Sequence, residues 1–172
     1  MRFGDFLKAT VLLSAGCATL LATVTVLGIA REDDRVMTYV TAAWWLIATS
    51  IGFSLGARSA ASPPIARLLA GARTQTTLPE LSPATTLLNR LWPLLVCAIG
   101  AGAVSFLEPQ VSSVAAGFTI IWALAWRTQE RAVLAIEERD GVRFYVDRTS
   151  PFSPIQLIRT PGFGGDFLTR PG

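Results

Sequence analysis

Long apolar blocks alternate with short polar intervals along the 172-residue chain. Four blocks, at 9–30, 37–57, 87–107 and 111–126, are set apart by every cluster of charge or proline. A hydrocarbon core of about 30 Å is crossed by roughly 20 helical residues, and the first three blocks supply that length. The fourth reaches it when extended back to Pro109, a residue tolerated at the first position of a helix. The pattern therefore predicts four spanning helices, at about 9–30, 37–57, 87–107 and 109–126.

The polar intervals differ in length. Arg31-Glu32-Asp33-Asp34-Arg35 and Glu108-Pro109-Gln110 are short enough to join consecutive spans as two antiparallel helical hairpins. The interval 58–86 and the tail 128–172 are longer. In the former, Pro63-Pro64 precedes Ile65, Leu68, Leu69 and Ala72 at helical spacing, which predicts a short helix lying in the membrane interface. The threonine- and proline-rich stretch 74–86 reads as an extended connector. In the tail, helical spacing of Ala132, Val133 and Ile136 runs to Asp140-Gly141. Val142, Phe144 and Val146 then alternate with Arg143, Tyr145 and Asp147, which predicts one short strand. Prolines punctuate the remainder of the tail, yet Phe152, Ile155, Leu157, Ile158 and Phe163 make it too apolar for a disordered segment. It must pack on its own middle interval or on another protein. The expected fold is an all-α membrane protein: a four-helix transmembrane domain at 1–127, its loop at 58–86, and a tail at 128–172 contributing to a small cap.

Basic residues orient the helices, because Lys and Arg are retained on the cytoplasmic side. Arg2 and Lys8 precede the first span, and Arg58, Arg67, Arg73 and Arg90 lie in or beside the middle interval. Seven arginines lie between Arg127 and Arg170, both included. Only Arg31 and Arg35 fall in a short interval, diluted by Glu32, Asp33 and Asp34. Both termini and both long intervals are therefore expected inside, in the cell (inner) membrane. Ser14-Ala15-Gly16-Cys17 invites comparison with a lipoprotein cleavage site, but the apolar run before it is short and continues well past the cysteine, so the block reads as an uncleaved span.

Composition agrees with this picture. Hydrophobic residues make up 51% of the chain, beyond what a soluble core of this size needs. The net charge of +3 is accounted for by arginines anchoring helix ends at anionic headgroups, so membrane lipids and no nucleic acid are the expected surroundings. The dominance of arginine over lysine fits a GC-rich bacterial genome.

The inventory for chemistry is sparse. There is no histidine, which removes the usual proton shuttle and most haem and zinc ligation. Cys17 and Cys97 lie inside spans, where small buried apolar roles suit them. No ionisable residue falls in the middle of a span, so the membrane-embedded carboxylate of a small proton-coupled antiporter is missing. Glu130, Glu137, Glu138, Asp140 and Asp147 interleave with arginines as a solvated charged face would. No catalytic residue, metal ligand or cofactor is expected. Ala48, Gly52 and Gly56 place small residues on one face of the second span, a candidate packing surface within the bundle or in a homo-oligomer. Trp44 and Trp45, deeper in the same span, either fill the bundle core or line a cleft for an apolar ligand.

The segments Asp140-Gly141-Val142-Arg143-Phe144-Tyr145-Val146 and Thr160-Pro161-Gly162-Phe163 resemble the tail of uncharacterised four-span integral membrane proteins from GC-rich bacteria. The resemblance covers about a quarter of the chain and implies a membrane location without an activity.

Together these features favour a non-enzymatic membrane-anchored interaction platform or accessory subunit. Its candidate partner-binding residues are Phe144, Tyr145, Phe152, Ile155, Ile158 and Phe163. The alternative is a small oligomeric transporter or channel subunit for a neutral or apolar solute.

Overall fold

The computed structural model describes residues 1–32, 34–57, 61–74, 83–148 and 155–161. In chain order its elements are α1 (Phe3–Glu32), α2 (Arg35–Gly56), α3 (Pro63–Ala70), β1 (Arg73–Thr74), α4 (Pro83–Val104), α5 (Pro109–Trp126), α6 (Gln129–Asp140), β2 (Val142–Arg148) and β3 (Gln156–Pro161). Four helices are long and apolar enough to cross a membrane: α1, α2, α4, and α5 with its continuation into α6. Local chemistry sets the helix limits. The Asp34 carboxylate accepts the Met37 N–H at 3.1 Å and caps α2, satisfying a donor the helix leaves open. Prolines open α3 and α5, where a missing N–H costs nothing. Gly141, at φ 61°, closes α6 in the left-handed conformation that glycine adopts without penalty.

Helix α5 is the hub. It runs antiparallel to α1 and parallel to α2, and each of those packs far more on α5 than on the other. Small residues make the approach possible. A Cβ on Gly28 would fall 2.9 Å from the Pro109 Cβ, and one on Gly52 would fall 2.8 Å from the Leu124 Cβ. A Cβ on Gly56 would collide with the Leu124 carbonyl oxygen, and one on Gly117 with the Trp44 indole. Hydroxyls fill the seams: Thr25 and Ser112 lie 2.8 Å apart, and Thr41 and Ser113 3.0 Å apart. Trp45 Nε1 donates to the Ser113 carbonyl at 3.0 Å and Trp44 Nε1 to that of Val114 at 3.4 Å. In an apolar medium such contacts replace the hydrophobic effect as the force between helices.

At one end of the bundle the chain builds a cap with its own core. A sheet of order β1-β3-β2 pairs β2 antiparallel and β1 parallel to β3. The N-terminus adds a further rung beyond β2: Arg2 bridges Tyr145, and the Val146 N–H donates to the Met1 carbonyl at 3.0 Å. Phe3, Phe6 and Leu7 from α1, Ile65 from α3, Val133 from α6, Val142, Phe144 and Val146 from β2 and Leu157 from β3 form one buried cluster.

Several expectations change here. The fold is mostly helical but not all-α, because three strands form where one was expected. Strand β2 occupies the predicted position, β3 pairs antiparallel beside it, and β1 arises from pairing with β3 across more than eighty residues of sequence. Helix α1 starts at Phe3, well before residue 9, since its first turns serve the cap core. Helix α3 forms where expected, but Ile65 is fully buried in that core and Leu68 and Leu69 pack against it. The cap draws on the middle interval and the tail, and also on the N-terminus, which was not expected to take part. Of the connector at 74–86, residues 75–82 lie outside the described residues, and α4 begins at Pro83.

Candidate functional site

The proposed packing residues Ala48, Gly52 and Gly56 are buried, with both glycines against α5. Their face is used within the chain, as is the hydroxyl of Thr128, which donates to the Gly56 carbonyl at 3.0 Å. Among the candidate partner-binding residues, Phe144 and Ile158 are only 3% and 2% exposed. Ile155 is partly buried against the cap core, and Tyr145 is half-buried opposite Ile158 on the strand pair. Phe152 and Phe163 lie outside the described residues. The tail residues 155–161 therefore pack on their own chain, and their apolar character is spent on the cap.

Polar groups at the base of the cap act as braces. The Glu137 carboxylate is buried and accepts the Phe144 N–H at 2.8 Å, fixing β2 to α6. Gln129 is buried and its side-chain oxygen accepts the Ser62 N–H at 2.8 Å, fixing the start of α3 to the start of α6. Unmet, each of those backbone donors would cost about 1–3 kcal/mol. Asp140 and Arg139 form an exposed pair at 2.8 Å. The hydrogen bond from Arg139 holds the Asp140 carboxyl below its usual range, and the same bond raises the Arg139 guanidinium. Among the described residues, no three of Cys, Asp and Glu come together as a metal site would need. The cysteines are both free.

Beneath the cap, where it meets the bundle, lies a cavity of about 560 Å³ lined by Phe3, Leu7, Arg67, Arg90, Trp122 and Trp126 among others. The indoles of Trp122 and Trp126 stack at 5.5 Å. A second cavity of about 580 Å³ adjoins it along α4 and is walled by Leu21, Leu94, Cys97, Ala115 and Phe118. Arg90, Leu91 and Trp122 border both. A third, of about 350 Å³, opens between α1 and α2 at the far end, where Trp45 forms part of its wall with Val26, Ile29 and Thr38. Trp44 instead packs edge-on against Phe118 at 5.5 Å. The two tryptophans thus divide between a packed contact and a cavity wall.

Arg67 and Arg90 are brought together by the fold, which places a short-helix side chain and a span-end side chain on one cavity. Sequence spacing held no signal for that. The architecture defines a class: a helical chain with four candidate membrane spans carrying a small mixed cap at one end. No protein-family model matches the chain, and neither the curated proteins nor the solved structures compared with it give a match.

Proposed function

We propose that the chain is a non-enzymatic, multi-pass protein of the bacterial inner membrane, with both termini cytoplasmic, acting as a membrane-anchored platform or accessory subunit. In this reading α1–α2 and α4–α5 cross the bilayer as two hairpins. The observation that carries the reading is the convergence of the N-terminus, α3, β1, α6, β2 and β3 on one cap core. A core shared by segments so far apart in sequence holds the cap rigidly against the bundle, and a rigid cap presents its outer surface in a fixed orientation to a partner. That surface is polar: Arg131, Glu138, Arg143, Gln156 and Arg159 are exposed. A partner is accordingly recognised through charged and hydrogen-bonding groups of α6, β2 and β3, and not through Phe144 or Ile158.

The test is affinity purification from native membranes with crosslinking, comparing the wild-type chain with an Arg143→Glu/Arg159→Glu variant. Removing the tail would uncover Phe3, Leu7 and Ile65 and confuse loss of a partner with loss of the cap. The expected outcome is a partner retained by the wild type and lost from the folded double variant. A monodisperse, partner-free wild-type preparation would end this reading. The alternative, a subunit transporting a neutral or apolar solute, is favoured only by the lateral cavities. Oligomerisation through Gly52 and Gly56 does not support it, because α5 covers that face.

A further inference from the structure

We infer that a groove along α1 seats one zwitterionic, amine-bearing glycerophospholipid in the bilayer leaflet away from the cap. The inference rests on the proposed reading in which α1 and α2 cross the bilayer, and it is independent of whether the cap binds a protein. The groove follows from how the first hairpin packs. Helices α1 and α2 each pack on α5 far more than on one another, so the hairpin is splayed. At its turn end the splay leaves the cavity of about 350 Å³ between Val26, Ile29 and Ala30 of α1 and Thr38, Ala42 and Trp45 of α2. The Trp45 indole is a fixed wall, held by its hydrogen bond to the Ser113 carbonyl at 3.0 Å. A further cavity of about 480 Å³ continues along α1, past Ala22, Thr19 and Ala18 to Ile120 of α5. Val26 borders both.

The mouth of the groove carries Asp34 and Arg35, adjacent residues of opposite charge with no salt bridge between them. One Asp34 oxygen accepts the Met37 N–H, and a carboxylate has capacity for further donors. Arg35 brings the planar donor fork that suits a phosphodiester. The turn as a whole, Arg31-Glu32-Asp33-Asp34-Arg35, holds three carboxylates and two guanidinium groups. A headgroup with one ammonium and one phosphate matches that mixture, whereas an anionic headgroup would meet an excess of carboxylate. A primary ammonium offers N–H donors to a carboxylate, and the quaternary nitrogen of choline has none. Charge complementarity at the mouth therefore selects an ethanolamine-type headgroup.

Behind the mouth the groove suits a hydrocarbon chain. Ala18, Ala22 and Val26 recur every four residues and so share one side of α1, where the two alanines leave room. The hydroxyls of Thr19 and Thr23 are turned back on their own helix, donating to the carbonyls of Ala15 and Thr19 at 3.0 and 2.9 Å, so they ask nothing of an occupant. Ala18 to Ala30 covers about 18 Å of helix rise, comparable to the roughly 15 Å depth of one leaflet's hydrocarbon. A soluble zwitterion would leave that length uncovered, so the groove calls for an amphiphile.

The experiment is native mass spectrometry of the purified full chain released from nanodiscs of equimolar phosphatidylethanolamine and phosphatidylcholine, with soluble phosphoethanolamine as a separate addition. One retained phosphatidylethanolamine per chain is expected, with a several-fold preference over phosphatidylcholine and no adduct from phosphoethanolamine. Asp34→Asn keeps the helix cap, because asparagine caps as well as aspartate, and should abolish the preference. Arg35→Gln should lower retention of both lipids, and Ala22→Phe, which fills the apolar length and leaves both charges, should lower it several-fold. Arg139→Gln on the cap surface should leave the pattern intact. Each variant is first shown to be monodisperse with a wild-type circular dichroism spectrum. Equal retention of the two lipids, a preference untouched by Asp34→Asn, displacement of the bound lipid by phosphatidylglycerol added to the discs, or binding of phosphoethanolamine alone would each overturn the proposal. A chain that fails to enter the discs would end the membrane reading and the seat with it, whereas an inserted chain without lipid preference would end the seat alone.

Discussion

Helices α4 and α5 have similar apolar character and face opposite fates. In α5, Pro109, Ser112, Ser113, Ala116, Gly117 and Ala123 are buried; in the longer α4 only Thr86 and Leu91 are. Hydropathy does not separate them, because lipid and protein are equally apolar surroundings for a leucine. Small and hydroxylated residues do. Helix α5 offers Ser112, Ser113, Ala116 and Gly117 where α1 and α2 cross it, so backbones approach and hydroxyls meet. Helix α4 turns Val96, Ile99 and Val104 outward, 55%, 72% and 45% exposed, and its Gly100 and Gly102 have open space where a Cβ would stand. Apolar length thus admits a helix to a membrane, and close-packing residues decide whether it becomes the centre of a bundle.

Substitutions at matched glycines should show the largest contrast. Gly56→Leu drives a side chain into the backbone of α5 and should cost about 3 kcal/mol or more, the upper range of overpacking. Gly100→Leu should stay within about 0.5 kcal/mol. Unfolding in mixed detergent micelles measures both, and equal losses would mean that α4 is packed as closely as α5. Next in size is a contrast inside α4. Leu91→Ala removes one of its few buried side chains and should cost about 2 kcal/mol, the low end for such a truncation because cavities already border it, whereas Ile99→Ala should be nearly silent.

A double-mutant cycle of Thr25→Val with Ser112→Ala isolates the hydroxyl contact between α1 and α5. The coupling should be about 0.6 kcal/mol, the average for hydrogen bonds between membrane helices. No coupling would show that the seam is held by small-residue packing alone. The smallest effect is one of reactivity. Cys97, exposed on α4, should be labelled by a bilayer-permeant maleimide several-fold faster than the half-buried Cys17 on α1, and Cys97→Ser should leave stability unchanged. Faster labelling of Cys17 would reverse the assignment of outer and inner helices.

Much of the fold is legible in the sequence. The four long apolar helices follow from apolar length, α3 from the spacing of Ile65, Leu68 and Leu69, and β2 from the alternation around Phe144. Phe3 to Leu7 was not recognisable as cap core, because a turn facing protein merges there with a helix that is apolar on every side. Strand β3 escaped because Leu157 and Ile158 are adjacent and both buried, which breaks the alternation that marks a strand. Two-residue β1 has no pattern at all until Arg73 lies beside Ile158. The glycines divide the same way. The four-residue spacing of Gly52 and Gly56 announces a packed face, while Gly28 and Gly117 each meet a partner that only the fold supplies, and Gly16 resembles them in sequence but meets none. For the candidate site, charge placed Arg90 at a helix end and Arg67 on a short helix, and nothing in their spacing joined them.

The rung between Arg2 and Tyr145 also sets an order of events during synthesis. At roughly 5–20 residues per second, the ribosome needs on the order of 10 s to deliver Tyr145 after Arg2 has emerged. Over that interval Phe3, Phe6 and Leu7 wait without the neighbours that α6, β2 and β3 supply. Closure of the cap is then a mark of completion: on the proposed reading of four spans, a chain that has lost one span would hold Arg2 and Tyr145 on opposite sides of the membrane, and Phe3, Phe6 and Leu7 would stay without the neighbours that complete their core.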